Sequence, residues 1–346
     1  MKMKAISPAR ILLRTIVVLA VFLGQPFHDQ GFAQDKDGAK WEIISAGVTD
    51  ELIAAGKKIG YPGLTGGVAV DRTTGDVFMV VCDQGLWKSS DQGKTFARVD
   101  NGTVHGRCET PFTLITNPAG KGLATFMVYG RGATTRDGGS TWQPWKGGGH
   151  VDCGAVDWED TGNALLTIRH ENAGMLAYST DNGQSWSDLG KGFKNGVGLF
   201  DAHTLVATAG KGIVRSADGG KTWATVSDAN TTGGSVVVWK GIGYWTSGQG
   251  LLVSKDKGLT WKVQGTSIAA VHGPYFGKDE NQIVVGTKDG LMETVDGGTT
   301  WKLAAPLPPE FKFLLIGANF ANYGWDPERN IFYASSMGKP TYRWKR

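Results

Sequence analysis

Three short stretches in the first half of the chain combine residue types that move protons and hold anions. They are His105-Gly-Arg107-Cys108-Glu109, His150-Val-Asp152-Cys153 and Arg169-His170-Glu171-Asn172. Asp83-Gln84 and Tyr129-Gly-Arg131 add further polar residues nearby in sequence. Histidine titrates closest to neutrality, so His150 and His170 are candidate proton-transfer groups. Glu171 and Asp152 supply a carboxylate pair of the kind that cleaves glycosidic bonds. Planar guanidinium groups pair bidentately with carboxylates, which makes Arg107, Arg131 and Arg169, with His105 beside them, candidates for binding an acidic substrate. Two reactions fit. In hydrolysis, Glu171 and Asp152 share the acid and base roles. In β-elimination from a uronate, His150 or His170 takes the proton α to a carboxylate that an arginine neutralises. His150, His170 and Asp152 are also metal-ligand types, but no dense motif such as His-Glu-x-x-His is present, and no metal or other cofactor is expected. Later in the chain, Tyr275 in His272-Gly-Pro-Tyr-Phe276 and Trp325 in Tyr323-Gly-Trp-Asp326 are aromatics able to stack on a sugar ring or to pack in a core.

The elements that must position these residues are marked by a repeat. An eight-residue pattern, Ser/Thr-x-Asp-x-Gly-x-Ser/Thr-Trp (Phe in the first copy), occurs six times, with aspartates Asp91, Asp137, Asp181, Asp218, Asp256 and Asp296. Their spacings are 46, 44, 37, 38 and 40 residues, the length of one four-stranded propeller blade. Each copy reads as a hairpin turn. The carboxylate accepts backbone N–H groups just downstream, the glycine supplies a positive φ, and the tryptophan starts the next strand with its ring toward the neighbouring sheet. These aspartates are therefore expected to be structural.

Short β-rich runs precede every box. Three more, Phe313–Ala318, Asn330–Ser335 and Thr341–Lys345, come after the last box, and Trp41–Ala46 precedes the first blade. Placing Trp41–Ala46 as the outer strand of the final sheet closes the ring and leaves no free edge. The expected fold is all-β, a seven-bladed propeller of four-stranded antiparallel blades. Box turns lie on one face of such a ring. Loops between blades, and between second and third strands, surround the channel mouth on the other. The mouth loops of the fourth to sixth blades are plain turns: Gly210-Lys-Gly212, Gly248-Gln-Gly250 and Lys288-Asp-Gly290. Those of the first three carry three of the five histidines and three of the ten arginines found after residue 33. A polar cluster on one side of a near-symmetric scaffold marks a working surface. Taken singly, each of these residues is equally a solvated loop residue, and Arg169-His170-Glu171 can pair within itself.

The chain opens with Lys2, Lys4, Arg10 and Arg14, then the apolar run Thr15–Leu23, then Gly31-Phe-Ala33. This reads as a signal peptide over residues 1–33, because the run falls short of the roughly 20 residues that span a bilayer. A linker over 34–40 leads into a propeller over 41–346, and the protein is expected to be exported, periplasmic or extracellular. The formal charge of +4 belongs mostly to the leader, since residues 34–346 hold 32 Lys+Arg against 31 Asp+Glu. That balance gives no case for nucleic-acid or membrane binding, and a monomer is expected. Three cysteines in an oxidising compartment predict one disulfide and one free thiol.

The six boxes resemble the Asp-box, or bacterial neuraminidase repeat, of sialidases, sortilin-type receptors, polysaccharide-degrading enzymes and a photosystem II assembly factor. The segment Trp325-Asp-Pro-Glu328, with Tyr333-Ala-Ser-Ser-Met-Gly338 after it, is similar to the ending of bacterial exported repeat-containing, glycosyl-hydrolase-like proteins. The resemblance runs from Trp41 to Arg346 but rests on the boxes. An Arg-Ile-Pro segment and a Tyr-Glu nucleophile pair, both expected of a sialidase, are absent, so the resemblance carries over no site residue. It implies a propeller whose boxes stand away from the working site. The expected function is binding, with cleavage as a further option, of an acidic carbohydrate at the channel mouth over the first three blades. The alternative is a non-catalytic scaffold or assembly factor that binds a protein partner.

Overall fold

The computed structural model describes residues 40–108, 112–147, 150–159, 164–170, 174–232, 234–311 and 321–346. The leader expected over 1–33, Glu109, Glu171, Asn172 and the run Phe313–Ala318 lie outside the described residues.

Seven sheets, each of four antiparallel strands, form a propeller with the chain running from the innermost strand outward, and in blade 4 the short segment Gly234–Ser235 adds a parallel pairing along Phe193–Leu199. The innermost strands of blades 1 to 6 are Thr65–Val70, Leu114–Thr116, Val151–Val156, Phe193–Leu199, Val237–Trp239 and His272–Phe276. Blade 7 comprises Ala321–Asp326, Ile331–Ser336 and Tyr342–Lys345, with Trp41–Ile43 from the start of the chain as its outer strand. The closing pairs are Trp41↔Trp344, Glu42↔Arg343 and Ile43↔Tyr342. The closure is held by the Trp41 and Trp344 rings, 5.6 Å apart, and by Arg343 Nη2 at 2.6 Å from Glu42.

Two details differ from the sequence reading. The innermost strand of blade 7 is Ala321–Asp326, which pairs over six rungs with Ile331–Ser336. The turn decides this: Asp326 Oδ1 accepts the N–H groups of Glu328 and Arg329, each at 3.1 Å, and closes a tight hairpin over Pro327–Asn330. In addition, the N-terminal strand ends at Ile43, and Ala46–Ala54 is an α-helix. Val48 and Leu52, four residues apart on that helix, pack on Met79, Val81, Trp87 and Phe96 of blade 1.

Hydrophobic clusters lie between successive blades. Blades 3 and 4 share Leu166, Ile168, Tyr178, Val197 and Leu205, with Trp223 of the fourth box packed at the edge. The boxes form one repeated hydrogen-bond set. In box 4, Ser216 Oγ donates to Asp218 Oδ1 at 2.8 Å and accepts the Gly220 N–H at 2.8 Å. Asp218 Oδ1 accepts the Thr222 N–H at 2.9 Å, and Oδ2 accepts the Thr222 hydroxyl at 2.6 Å. The same bonds recur at Asp91, Asp137, Asp181, Asp256 and Asp296. The residue after the box aspartate also ties to the turn between the first two strands of its own blade, as Gly138 N–H to Lys121 O at 2.8 Å and Gly219 N–H to His203 O at 2.9 Å. Both kinds of turn therefore open on one face, and the polar cluster lies on the other.

All three cysteines are buried free thiols, which corrects the expected disulfide. The reason is packing. Cys108 sits in the cluster between blades 1 and 2 with its Sγ 3.4 Å from Met127 Sδ, while Cys153 belongs to the cluster between blades 3 and 4. Burial pushes the Cys82 and Cys108 thiols up to about 12 and the Cys153 thiol higher still. No helix among the described residues is long and apolar enough to cross a membrane.

Candidate functional site

The mouth-side cluster is built around an irregularity in the innermost strand of blade 3. Val151 pairs with Arg169 and Cys153 with Ile168, so Asp152 is an extra residue with no partner in the ladder. Such a bulge turns a side chain out of the alternation of the strand. Blades 1, 4 and 6 show similar register shifts, with Gly66, Asn195-Gly196 and Gly273-Pro274 at the irregularities. Of these four, only the one in blade 3 carries a carboxylate.

That carboxylate meets His170. His170 Nδ1 lies 2.6 Å from Asp152 Oδ1, and the two side chains are 53% and 12% exposed. The backbone fixes the approach, because the His170 N–H donates to His150 O at 2.9 Å. The His150 ring stacks on the His170 ring at 4.2 Å with an interplanar angle of 21°. A carboxylate that accepts from Nδ1 leaves Nε2 as the ring nitrogen without that partner.

The structure therefore brings together His150, Asp152 and His170. The fourth candidate catalytic residue, Glu171, lies outside the described residues. The arginines hold separate partners. Arg169 Nη2 is 3.0 Å from Asp188 on the outer strand of blade 3, and its Nε is buried without a hydrogen bond. The Arg107 guanidinium sits 4.8 Å from the centre of the Tyr61 ring and donates to Tyr61 O at 3.4 Å. His105–Arg107 and Val128–Arg131 form a two-stranded ribbon in which exposed His105 pairs with exposed Arg131. The second strand of this ribbon lies against the innermost strand of blade 3, so ribbon and histidines share one side of the ring. No group of three or more His, Cys, Asp or Glu suited to a metal occurs among the described residues.

Tyr275 and Trp325 occupy different positions, as lining residues of the central channel. Trp325 is 3% exposed and stacks on Phe332 at 5.8 Å, and Tyr275 is half-buried. Sequence reasoning missed Asp188 and Tyr61, the partners of two of the arginines, because neither is near its arginine in sequence. It also missed Arg72. That residue comes just after the first strand of blade 1 on the box face, where the sequence places only structural turns.

Comparison with known proteins supports the architecture. A family model described as BNR/Asp-box repeat matches residues 177–188, the third box. No curated protein matches the chain. Among solved structures, the β-propeller domain of Cps50 (Swd1) from Myceliophteria thermophila aligns at a TM-score of 0.54 with 12% identity, covering 84% of this chain and 98% of that one. YCF48 bound to D1 peptide aligns at 0.49 with 14% identity, covering 91% and 97%. The GH74 enzyme of Niastella koreensis aligns at 0.40 with 18% identity over 80% of this chain, which spans about half (54%) of that enzyme. At these identities the likeness is one of fold. The chain is a seven-bladed β-propeller built on BNR/Asp-box repeats.

Proposed function

We propose that this propeller binds an acidic carbohydrate on the mouth side of blades 2 and 3, with the Asp152–His170 pair at the centre of the site. The observation that carries the reading is the 2.6 Å contact between His170 Nδ1 and Asp152 Oδ1 beneath a stacked His150 ring. The guanidinium of the adjoining Arg169 supplies permanent positive charge for a sugar carboxylate, and the His150 ring stacked 4.2 Å from His170 supplies a further polar contact. The same geometry suits proton transfer. In a uronate, His170 Nε2 takes the proton α to the carboxylate, the electron pair forms the C=C bond as the C–O bond to the leaving sugar breaks, the leaving oxygen takes up a proton from water, and an unsaturated sugar remains. We read residues 1–33 as a leader that takes this activity outside the cytoplasm, and the buried thiols need no oxidised partner there.

The experiment is a glycan array with the mature chain, then calorimetric titration of any uronate oligosaccharide that binds. Wild type is expected to prefer the uronate over its neutral counterpart, with His150→Ala plus His170→Ala weakening the interaction at least tenfold. Unchanged affinity in the double variant sinks the site. A single stoichiometric protein partner captured by cross-linking, together with no glycan binding, favours the scaffold alternative instead.

A further inference from the structure

The central channel holds a cavity of about 90 Å³ walled by residues of blades 1, 2, 3, 5, 6 and 7. It is closed toward the mouth. Phe112 lies against Gly234, where an added Cβ would come within 2.2 Å of the ring, and stacks on His272 at 5.7 Å. Next to it, the buried Ser235 hydroxyl donates across to Gly154 O of blade 3. The cavity is thus separated from the His150/His170 cluster and belongs to the box-face half of the ring.

At that end, Arg72 reaches across the channel. Its Nε donates to Pro118 O and its Nη1 to Gly277 O, each at 2.6 Å, and the guanidinium stands 4.7 Å from the centre of the Trp239 ring. Among the described residues lining the cavity it is the only charged one. Three further lining residues carry side-chain N–H groups that are buried and have no hydrogen-bond partner: Asn322 Nδ2, Trp325 Nε1 and Trp158 Nε1. Asn322 is 5% and Trp325 3% exposed.

A buried donor left unpaired is costly, so these groups require acceptors. A ligand with well-placed oxygens satisfies them. The unmatched groups are all donors, the single charge is positive, and no carboxylate lines the wall among the described residues. The remaining wall is apolar, including Phe112, Val236 and Phe276. An apolar cavity of about 150 Å³ holds benzene, so the space here suits a molecule of only a few heavy atoms. We propose that the channel is a binding site for a short aliphatic carboxylate. Its oxygens accept from Asn322 Nδ2, its alkyl end lies on the apolar wall, and Arg72 balances its charge.

The probe is propionate, titrated into the mature chain under observation by two-dimensional amide and indole NMR, with propionamide as the uncharged counterpart. The expected result is a saturable shift of the Trp158 and Trp325 indole signals and of the Asn322 side-chain amide. The box tryptophans should stay unmoved, and propionamide should bind at least tenfold more weakly. Asn322→Ala and, independently, Arg72→Gln are each expected to weaken propionate about tenfold, with melting temperature checked for both so that a folded variant is always available. Absence of shifts at propionate concentrations where chloride has no effect overturns the proposal, as does equal binding of the amide. Because the probe carries no sugar and the site lies apart from His170, this proposal and the carbohydrate reading can fail separately.

Discussion

Asp152 Oδ1 accepts from His170 Nδ1 at 2.6 Å because a bulge removes Asp152 from the strand ladder and turns it toward the end of the neighbouring strand. The pair fixes which imidazole nitrogen is free. Asp152→Asn preserves shape but removes the charge that holds this tautomer. Uronate binding is expected to fall less than tenfold in this variant, while any turnover falls by roughly 10²-fold, the ordinary size of a proton-transfer contribution. Steady-state rates read by near-ultraviolet absorbance of the unsaturated product check the split between kcat and KM. Equal turnover in both proteins removes Asp152 from the chemistry.

The boxes should govern stability and leave the mouth untouched. Trp223 is half-buried, with its ring 5.1 Å from that of Phe193. Full burial of a tryptophan is worth about 3–5 kcal/mol on truncation to alanine, so Trp223→Ala is expected to cost about 2 kcal/mol and the fully buried Trp245→Ala the whole range. Asp218→Ala, which unpairs the Thr222 hydroxyl and N–H, is expected to lower the melting temperature as well. All three variants should keep wild-type glycan affinity below their melting temperatures. A box variant that melts normally but has lost binding means the working face is on the box side.

Acid should act on the same turns. The Ser185 hydroxyl and N–H hold the Asp181 carboxyl down to about 2, and the Thr300 N–H and hydroxyl hold Asp296 down to about 2. Asp91 and Asp218 are lowered further by the hydroxyls of Thr95 and Thr222. A carboxylate with a depressed folded-state pKa stabilises the fold above its unfolded value, near 4, and that contribution disappears as pH falls through the folded value. Melting temperature should therefore be flat in these groups above about pH 5 and drop between about pH 4 and pH 2. Asp181→Asn should start lower at neutral pH and show a shallower acid drop than wild type. Parallel curves for the two proteins would contradict this assignment.

The thiols offer a chemical check. Cys82, Cys108 and Cys153 are buried, and burial pushes the first two up to about 12, far from the reactive thiolate form. A thiol reagent is expected to label none of them in the native protein at neutral pH and all three in denaturant without reductant. Labelling of a single thiol in denaturant would restore the disulfide that the cysteine count predicts.

The ring was legible in the sequence because each box encodes its own turn locally: the aspartate, the glycine and the hydroxyls satisfy one another within eight residues. The closure by Trp41–Ile43 was also legible, since a strand without a blade must cover an open edge. The innermost strand of blade 7 was not. The pairing of Ala321–Asp326 with Ile331–Ser336 rests on the Asp326 turn, which no apolar run in the sequence announces. The mouth cluster was legible as a set of residue types in corresponding loops. Its internal pairing was not, because the bulge at Asp152 is a matter of register, and Arg169 finds Asp188 through strand geometry that spacing does not express.

The carbohydrate reading is tested most directly by imidazole NMR of the mature chain during titration with a uronate oligosaccharide, using the neutral oligosaccharide as reference. Five histidines report: His105, His150, His170, His203 and His272. The expected result is that the ring signals of His150 and His170 move together and saturate with the uronate, while those of His203 and His272 hold still and the neutral sugar moves none. Binding of the uronate with His150 and His170 unmoved would contradict the account.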